Sequence, residues 1–425
     1  MASVQQEAVD QNVFDKLLRM LSRPFGNSTE EKQKKLQTLY SQVSGEFAGL
    51  ESPVSAILAS MIAFKPAIEI GLWGEGKTRI IDELAWGIDG ASYFYYPATP
   101  ETDKDSVLGP INIEDYKKGH LTRIHSAIYN SDIVFIDELM RGGRNIRDLM
   151  LDVLSKHEVV EGDSVEHLKY RAFFTATNTT PTAEEDMALY SRFPVRVFFN
   201  EVQKELLPSA ISKGLNGEVE LLEKELEGLK AKAMAQVTRK KPLSVNDLGN
   251  IQLEVNDKTL RFANNPAFTS TIANLVVALR EKGIHPSTRT DISLARLAVA
   301  FSYLRGNKDV DREDLALSLY YCGPNTQDDL AKIERIIVEQ KLSLTQEKIE
   351  KVEEEFQKLK EMEEIAKTTP SEITFKALRR EIANADTLLG TMKNDPKMPE
   401  FTSYLSDLVV EAKAAVKKRD EEDLN

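Results

Sequence analysis

The sequence has very little of what stabilises disulfide-bonded or metal-bound proteins. Its 425 residues include one cysteine, Cys322, and five histidines. A single cysteine cannot form an intrachain disulfide, and the histidines show no H-E-x-x-H or similar spacing. These absences exclude a disulfide framework and a Cys-rich or His-rich metal site, and they predict a reducing, cytoplasmic setting.

The sequence also lacks long apolar runs and an excess of positive charge. The start, "MASVQQEAVDQNVFDKLL", has no basic segment followed by an apolar run, so no signal peptide is predicted, and no run approaches the length of a membrane span. Lys and Arg number 55 against 68 Asp and Glu, a formal net charge of −13. Binding along a nucleic-acid backbone needs clustered basic residues, so a protein or small-molecule partner is favoured.

Short apolar runs alternate with helical patterns between about residues 51 and 200. The runs are "AIEIGL", "SYFYYPA", "DIVFID", "RAFFTATN" and "VRVFFN". Such alternation predicts an α/β core, with a five-stranded parallel sheet sandwiched by helices. The length of the whole chain predicts two to three domains.

The segments on either side of this core are predicted to be helical. Residues 1–50 show the pattern of two amphipathic helices, and residues 261–330 contain two clear helical patterns, "TIANLVVALREKG" and "DISLARLAVAFSYLRG". Residues 201–260 are interpreted as an insertion or linker with a charged helix and a short extended run, "NIQLEV". Coiled-coil spacing in residues 331–425 covers too few heptads for a true coiled coil, which favours a helical hairpin or bundle.

The stretch "GLWGEGKT", Gly71 to Thr78, fits the pattern G-x-x-x-x-G-K-[ST] and lies between an apolar run and a helical pattern. Glycines let backbone N–H groups surround a phosphate at the positive end of a helix. Lys77 would reach the β- and γ-phosphates, and the Thr78 hydroxyl would hold Mg²⁺. For this motif alone, a tight turn that contains a lysine stays an alternative. The predicted loop comprises Gly71, Leu72, Trp73, Gly74, Glu75, Gly76, Lys77 and Thr78.

An acidic pair, Asp137 and Glu138, ends the buried-looking run "DIVFID". The carboxyl end of a strand is where an open α/β sheet places its ligand. Asp137 would help to hold Mg²⁺, and Glu138 would polarise an attacking water. Taken alone, the pair could equally mark the start of an exposed loop.

Three single residues add weaker indications. Asn178 ends "RAFFTATN" and could orient a lytic water, or simply form a turn. Arg192, in "ALYSRF", could reach a phosphate bound to a neighbouring subunit, or form a surface salt bridge. Arg289, in "RTDISLARL", could sense phosphate, or could cap and solvate its helix together with Asp291.

In this order, the segments "GEGKT", "VFIDELMRGG", "FFTATN", "ALYSRF" and "RTDISLARLAVAFSYLRG" resemble the AAA+ ATPases, and within them the RavA-like branch of the MoxR family, over roughly residues 45–330. The resemblance implies an AAA+ P-loop NTPase core with an α-helical lid, and additional helices at both ends of the chain. It also implies ATP and Mg²⁺ as cofactors. The implied site residues are Walker A at Gly71 to Thr78, Walker B at Asp137 and Glu138, sensor 1 at Asn178, the arginine finger at Arg192 and sensor 2 at Arg289.

The family further implies a homo-oligomeric ring, typically a hexamer, that hydrolyses ATP to remodel or mature a protein or metal-centre client. A partner with a von Willebrand factor A domain is often present. Two alternatives stay open. One is a nucleic-acid motor, in which two hairpin insertions line a pore with basic residues. The other is a nucleotide-dependent scaffold, which the intact Glu138 argues against. The basic residues available to a motor are Lys117, Lys118, Arg123 and Lys169.

Overall fold

A computed structural model of the chain describes most residues from 30 onward. The described residues are 30–72, 74, 76–161, 164–181, 184–199, 207–213, 215, 241–340, 342, 344–392, 406, 409–410, 412–417 and 419. The chain divides after Ile337 into two compact units. The helix predicted before residue 30, the loop residues Trp73 and Glu75, and the charged helix predicted within 201–240 lie outside the described residues.

The core of the first unit contains nine strands and seven helices in its described part. The strands are β1 (Ala67–Ile70), β2 (Ile88–Asp89), β3 (Tyr93–Pro97), β4 (Ile133–Asp137), β5 (Glu158–Glu161), β6 (Ser164–His167), β7 (Ala172–Thr177), β8 (Val195–Phe198) and β9 (Leu243–Ser244). The helices are α1 (Glu31–Glu46), α2 (Glu51–Ile62), α3 (Lys77–Trp86), α4 (Lys104–Leu108), α5 (Ile113–Tyr116), α6 (Arg144–Lys156) and α7 (Glu184–Tyr190).

Five of these strands form a parallel sheet with the order β3-β4-β7-β1-β8. Every residue of β1, β7 and β8 is buried. Strands buried at every position need helices on both faces of the sheet, which is why they appear in the sequence as continuous apolar runs. The predicted five-stranded parallel sheet is therefore confirmed, and each of the five apolar runs supplies one of its strands.

The helices after the core form the segment that the sequence predicts to be the lid, and it keeps that name below. They are α8 (Val245–Ala263), α9 (Pro266–Glu281), α10 (Thr288–Leu304), α11 (Arg312–Cys322) and α12 (Asp329–Glu339). The two helices predicted here are confirmed as α9 and α10.

The extended run predicted at "NIQLEV" is wrong, because it lies inside α8, which also crosses the predicted boundary at residue 260. Its I-x-L-x-V alternation imitates a strand. A longer pattern decides the outcome, since Leu248, Ile251 and Val255 are buried on one helical face. Ser244 and Asp247 form a reciprocal capping box that starts the helix.

The second unit contains two long helices, α13 (Leu344–Thr368) and α14 (Glu372–Met392), which pack against each other as a hairpin. Val352 and Leu359, two of the apolar positions at coiled-coil spacing, are buried. The sequence favoured a helical hairpin or bundle, and α13 and α14 form a hairpin in the described residues. Among the helices that the structure describes, none is long and apolar enough to cross a membrane.

Two insertions precede the strands that lead to the site. The first lies between β3 and β4 and pairs antiparallel at Ile111 and Arg123. The second is the β5–β6 hairpin, between α6 and β7. The Arg123 guanidinium joins them, because it donates to both carboxylate oxygens of Glu161 and, at 2.6 Å, to Asp105. Its side chain is only 6% exposed. The two insertions therefore form one packed structure.

A second contact on the same face supports this arrangement. His125 Nε2 lies 2.7 Å from a carboxylate oxygen of Glu166. Glu166 pairs across the hairpin with Val159, which is buried, so this face points towards the first insertion. Val160 and Val165 pair on the opposite face and stay about half exposed, at 48% and 53%.

The substitution Arg123→Ala should loosen both insertions together. It leaves the Glu161 carboxylate without its guanidinium, and breaking a buried ion pair costs about 3–5 kcal/mol. We expect amide hydrogen exchange in residues 105–126 and 158–167 to accelerate more than about tenfold, with no change in α10. His125→Ala is the matched control, because a half-exposed pair is worth less than about 1 kcal/mol. Equal effects of the two substitutions would contradict the proposed joining role of Arg123.

Candidate functional site

A glycine-rich loop connects the carboxyl end of β1 to α3. Gly74 and Gly76 both have φ of +83°, the left-handed region that glycine adopts without strain. Gly76 is the N-cap of α3, and no side-chain hydrogen bond caps this helix among the described residues. The N–H groups of the first helical turn are therefore oriented to receive an anion at the positive end of the helix dipole.

Lys77, the first residue of α3, directs its ammonium group into this loop. Its Nζ donates to the carbonyl oxygen of Gly71 at 2.8 Å and to that of Leu72. It also donates to Asn178 Oδ1 at 3.4 Å. The described residues of the loop and the first turn of α3 thus form a cradle with Lys77 at its centre, and a lysine among backbone N–H groups fits phosphate.

Oxygen atoms suited to a magnesium ion lie beside the cradle. Thr78 Oγ1 donates to Asp137 Oδ2 at 3.4 Å, and the Tyr95 hydroxyl donates to the same oxygen at the same distance. Hydroxyl and carboxylate oxygens are ligands that Mg²⁺ prefers, so Thr78 and Asp137 fit an ion that also binds phosphate. Sequence reasoning missed Tyr95, because one tyrosine in "SYFYYPA" carries no signal that separates it from the others.

Glu138 is held at the edge of the cradle in a strained conformation. Its φ of 54° is unusual for a residue with a side chain. Oε1 accepts a hydrogen bond from Asn178 Nδ2, whereas Oε2 is buried with no partner in the described part of the chain. Burial, followed by the negative charge of Asp137, raises the pKa of Glu138 above its ordinary value. The carboxyl group therefore has one oxygen that is oriented by Asn178. The other oxygen is left to accept a proton or a hydrogen bond from a water molecule.

Asn178 connects the two halves of the site. Its amide oxygen accepts from Lys77 while its amide nitrogen donates to Glu138. The structure therefore brings together Lys77, Thr78, Asp137, Glu138 and Asn178, as the sequence predicted for one edge of the sheet.

Glu69, in the middle of β1, is a second residue that sequence reasoning missed. It is fully buried, and neither carboxylate oxygen has a hydrogen-bond partner among the described residues. Burial raises the pKa of Glu69 well above its ordinary value; the ammonium of Lys77 acts in the opposite direction. The available signal was a lone acidic residue inside the apolar run "AIEIGL".

Arg192 makes its hydrogen bonds outside the cradle, and the positive charge of Arg289 acts on it. Arg192 Nε donates to the Leu151 carbonyl and to Ser155 Oγ, both at 2.9 Å, which holds it against α6. Burial, followed by the positive charge of Arg289, lowers the pKa of Arg192. In the described part of the chain, neither arginine forms a hydrogen bond with the residues that surround the cradle.

The start of α10 leaves Arg289 exposed. Ser287 is the N-cap and accepts from the Thr290 N–H, so the helix is not capped by Arg289 and Asp291; the exposed position of Arg289 agrees with the other part of that alternative, a solvated helix start. Asp291 instead pairs with Arg280 at 3.3 Å. Arg289 is thus available to an anion presented from outside.

Contacts between the lid and the core fix the lid in place. Gln252 of α8 donates to the carbonyl oxygens of Met61 and Arg171, at 2.9 and 2.8 Å. Arg296 of α10 donates to the carbonyl oxygen of Ala63. These bonds satisfy carbonyl groups at the end of α2 and before β7, and they hold α10, with Arg289 at its start, in a defined position.

Residues 34–239 match a protein family described as the MoxR domain in MoxR-vWA-beta-propeller ternary systems. This part of the chain belongs to the MoxR family of AAA+ ATPases.

Individual proteins are similar to most of the length of this chain. Two uncharacterised proteins of Methanocaldococcus jannaschii are 21% and 22% identical to it, over 72% and 70% of this chain and 74% of each relative. A crystal structure of a candidate ATPase from Cytophaga hutchinsonii superposes with a TM-score of 0.54 and 19% identity, over 72% of this chain and 94% of the other. At this identity, the superposition supports the AAA+ fold alone.

The conformation of Gly76 in the MoxR domain gives a stability prediction. Gly76→Ala introduces a Cβ at a φ of +83°, which costs about 1–2 kcal/mol of unfolding free energy. The expected result is a lower midpoint of urea unfolding. Gly45→Ala is the matched control, since Gly45 lies near the end of α1 with open space around it, and alanine there should be neutral or stabilising by up to about 1 kcal/mol. The same shift in both variants would show that the backbone at Gly76 is not constrained.

Proposed function

We propose that this MoxR protein binds MgATP in the cradle and hydrolyses it. The observation that carries the proposal is the continuous set of contacts from Lys77 through Asn178 to Glu138, with Thr78 and Asp137 beside it. This set joins a phosphate cradle, a magnesium site and a carboxyl group with a free oxygen, the three parts that phosphoryl transfer to water requires.

Each residue has a role that its position supports. The N–H groups of the first turn of α3 and Lys77 would bind the phosphates. Thr78 and Asp137 would hold Mg²⁺, which would supply positive charge to the phosphates. Glu138 accepts a hydrogen bond from the attacking water through Oε2 and polarises it. Asn178 keeps Glu138 oriented and sets its distance from the γ-phosphate.

We also propose that the protein works as a homo-oligomeric ring, with six subunits as the family implies. Arg192 and Arg289 lie near each other but outside the cradle of their own subunit. Two neighbouring guanidinium groups repel each other unless an anion lies between them. A phosphate bound to the next subunit would supply that anion, with Arg192 as the arginine finger and Arg289 as sensor 2.

A protein client and a partner with a von Willebrand factor A domain are the proposed interaction partners. The matched family takes its description from MoxR-vWA systems, which supports such a partner for this chain. The net charge of −13 also favours protein over nucleic acid. We propose that the energy of hydrolysis remodels or matures this client, as in RavA-like relatives.

The nucleic-acid motor loses support from the positions of its basic residues. Arg123 is buried in ion pairs with Glu161 and Asp105, so it cannot contact a phosphate backbone. Lys118 pairs with Asp115 at 3.5 Å, and Lys169 donates to Asn130. Of the four basic residues, only Lys117 is left exposed without one of these contacts.

Substitutions at two positions should separate nucleotide binding from turnover. Glu138→Gln removes the polarising charge but keeps the side-chain shape, so ATP binding should stay within about threefold of wild type while turnover falls at least about a hundredfold. Lys77→Ala removes a phosphate contact and should weaken binding itself by at least about tenfold. Fluorescent ATP-analogue binding and phosphate release measure the two effects. Binding without turnover in the wild-type protein would favour the scaffold alternative instead.

Mixing two inactive variants tests whether sites are shared between subunits. Arg192→Ala should bind nucleotide normally and lose at least about a hundredfold in turnover, because a charge on the phosphate is no longer neutralised. Mixed with Glu138→Gln subunits, it should recover part of the activity, since some interfaces then combine an intact Arg192 with an intact Glu138. Arg144→Ala, at an exposed arginine on α6, is the control and should stay active. Full activity of Arg192→Ala alone would exclude the shared site.

A further inference from the structure

Glu69 and Asp137 occupy the same row of the central sheet. Glu69 of β1 pairs with Ala176 of β7, and Ala176 pairs in turn with Asp137 of β4. Residues aligned across parallel strands project to the same face of the sheet. The two carboxyl groups therefore project to one side, with their backbones two strand spacings apart, about 10 Å.

Little side-chain material separates these two carboxyl groups. The residue between them in the row is an alanine, whose methyl group leaves space that a larger side chain would fill. Lys77 of α3 lies close enough to influence the ionisation of Glu69, and so does Asp137. Glu69 thus shares its surroundings with the phosphate-binding lysine and the magnesium-binding aspartate.

The isolation of Glu69 is costly in the absence of a ligand. The residue is 0% exposed, and both of its oxygens are without a hydrogen-bond partner in the part of the chain that the structure describes. Burying a carboxyl group without hydrogen bonds is unfavourable, because it loses its bonds to water and gains none in the protein. An isoleucine or valine would fill a central strand position without this cost. A functional partner explains why a carboxyl group is placed here.

We propose that Glu69 is a positioning residue of the magnesium site, and that its carboxylate accepts hydrogen bonds from water molecules retained by Mg²⁺. This inference rests on the proposed binding of MgATP. Mg²⁺ keeps several of its waters when it binds to proteins, and acidic groups around it orient those waters.

The geometry favours contact through water over direct ligation. No three His, Cys, Asp or Glu side chains among the described residues converge as a metal-binding group. Thr78 Oγ1 and Asp137 Oδ2 already lie 3.4 Å apart beside the cradle. Glu69 lies in the same row of the sheet as Asp137, on the same face and two strands away.

The test measures how much Mg²⁺ a nucleotide complex requires. The affinity of the full-length protein for a fluorescent ADP analogue is measured over a range of Mg²⁺ concentrations. The range runs from zero, in the presence of EDTA, to about 10 mM. Free ADP binds Mg²⁺ with the same affinity whichever variant is present. A difference in Mg²⁺ requirement between variants therefore comes from the protein. For Glu69→Gln we expect a rise of about tenfold in the Mg²⁺ concentration that gives half of the Mg²⁺-dependent gain in nucleotide affinity. This change lies within the range seen when residues around a metal site are removed. Affinity in EDTA should stay within about twofold.

Two further variants distinguish a metal role from a structural one. Glu69→Leu should show the same rise in the Mg²⁺ concentration that binding requires, while the melting temperature stays equal or rises, because an unpaired buried polar group is replaced by an apolar one. Glu83→Gln is the matched control. Glu83 is similarly buried on α3, but it lines a different cavity, with Leu39 and Trp86. The Mg²⁺ requirement of the Glu83→Gln variant should therefore equal that of the wild type.

Each outcome has a defined meaning. A Mg²⁺ requirement of Glu69→Gln equal to that of the wild type overturns the inference. Lower affinity in EDTA together with a lower melting temperature in both Glu69 variants also overturns it, since that result assigns Glu69 to the fold. Wild-type protein that binds no nucleotide at all would overturn the proposed function instead, and the EDTA arm makes the two failures distinguishable.

Discussion

The Asn178 side chain is the contact on which the arrangement of the site depends. It spans from Lys77, at the end of the β1 loop, to Glu138, after β4. This is possible because β7, which carries Asn178, lies between β4 and β1 in the sheet although it follows both in the chain. The strand order thus places the Asn178 amide between a lysine and a carboxylate. Its oxygen accepts from the lysine and its nitrogen donates to the carboxylate.

The same strand order explains why the two insertions are placed where they can influence the site. The first insertion leads directly into β4, which ends in Asp137, and the β5–β6 hairpin leads into β7, which ends at Thr177 beside Asn178. Arg123 joins the insertions at their inner face through Glu161. The two insertions thus connect, through one ion-paired structure, to two adjacent strands that end at catalytic positions of the proposed mechanism.

Much of this arrangement could be predicted from the sequence, because strands buried on both faces and a glycine-lysine loop leave local patterns. "IVFI" shows the pattern of a buried strand, and "GEGKT" shows that of the loop. Features that depend on partners distant in the chain could not be predicted. The run "NIQLEV" has local alternation typical of a strand, yet the burial of Leu248, Ile251 and Val255 against other helices makes it helical. Likewise, Arg123 looks like an available basic residue until Glu161, 38 residues later, is placed beside it.

The two arginines supply a physical argument for assembly that does not need the family resemblance. Arg192 is half-buried, fixed by the Leu151 carbonyl and Ser155, and its pKa is lowered by burial and by the charge of Arg289. Holding two like charges near each other while withdrawing one from water is unfavourable in the isolated subunit. The cradle of the same subunit cannot relieve this cost, since its own contacts are made by Lys77 and Asn178. In the proposed ring, a phosphate bound to a neighbouring subunit would supply an anion that relieves this cost. The arginine pair would then convert nucleotide bound in one subunit into contact energy between two.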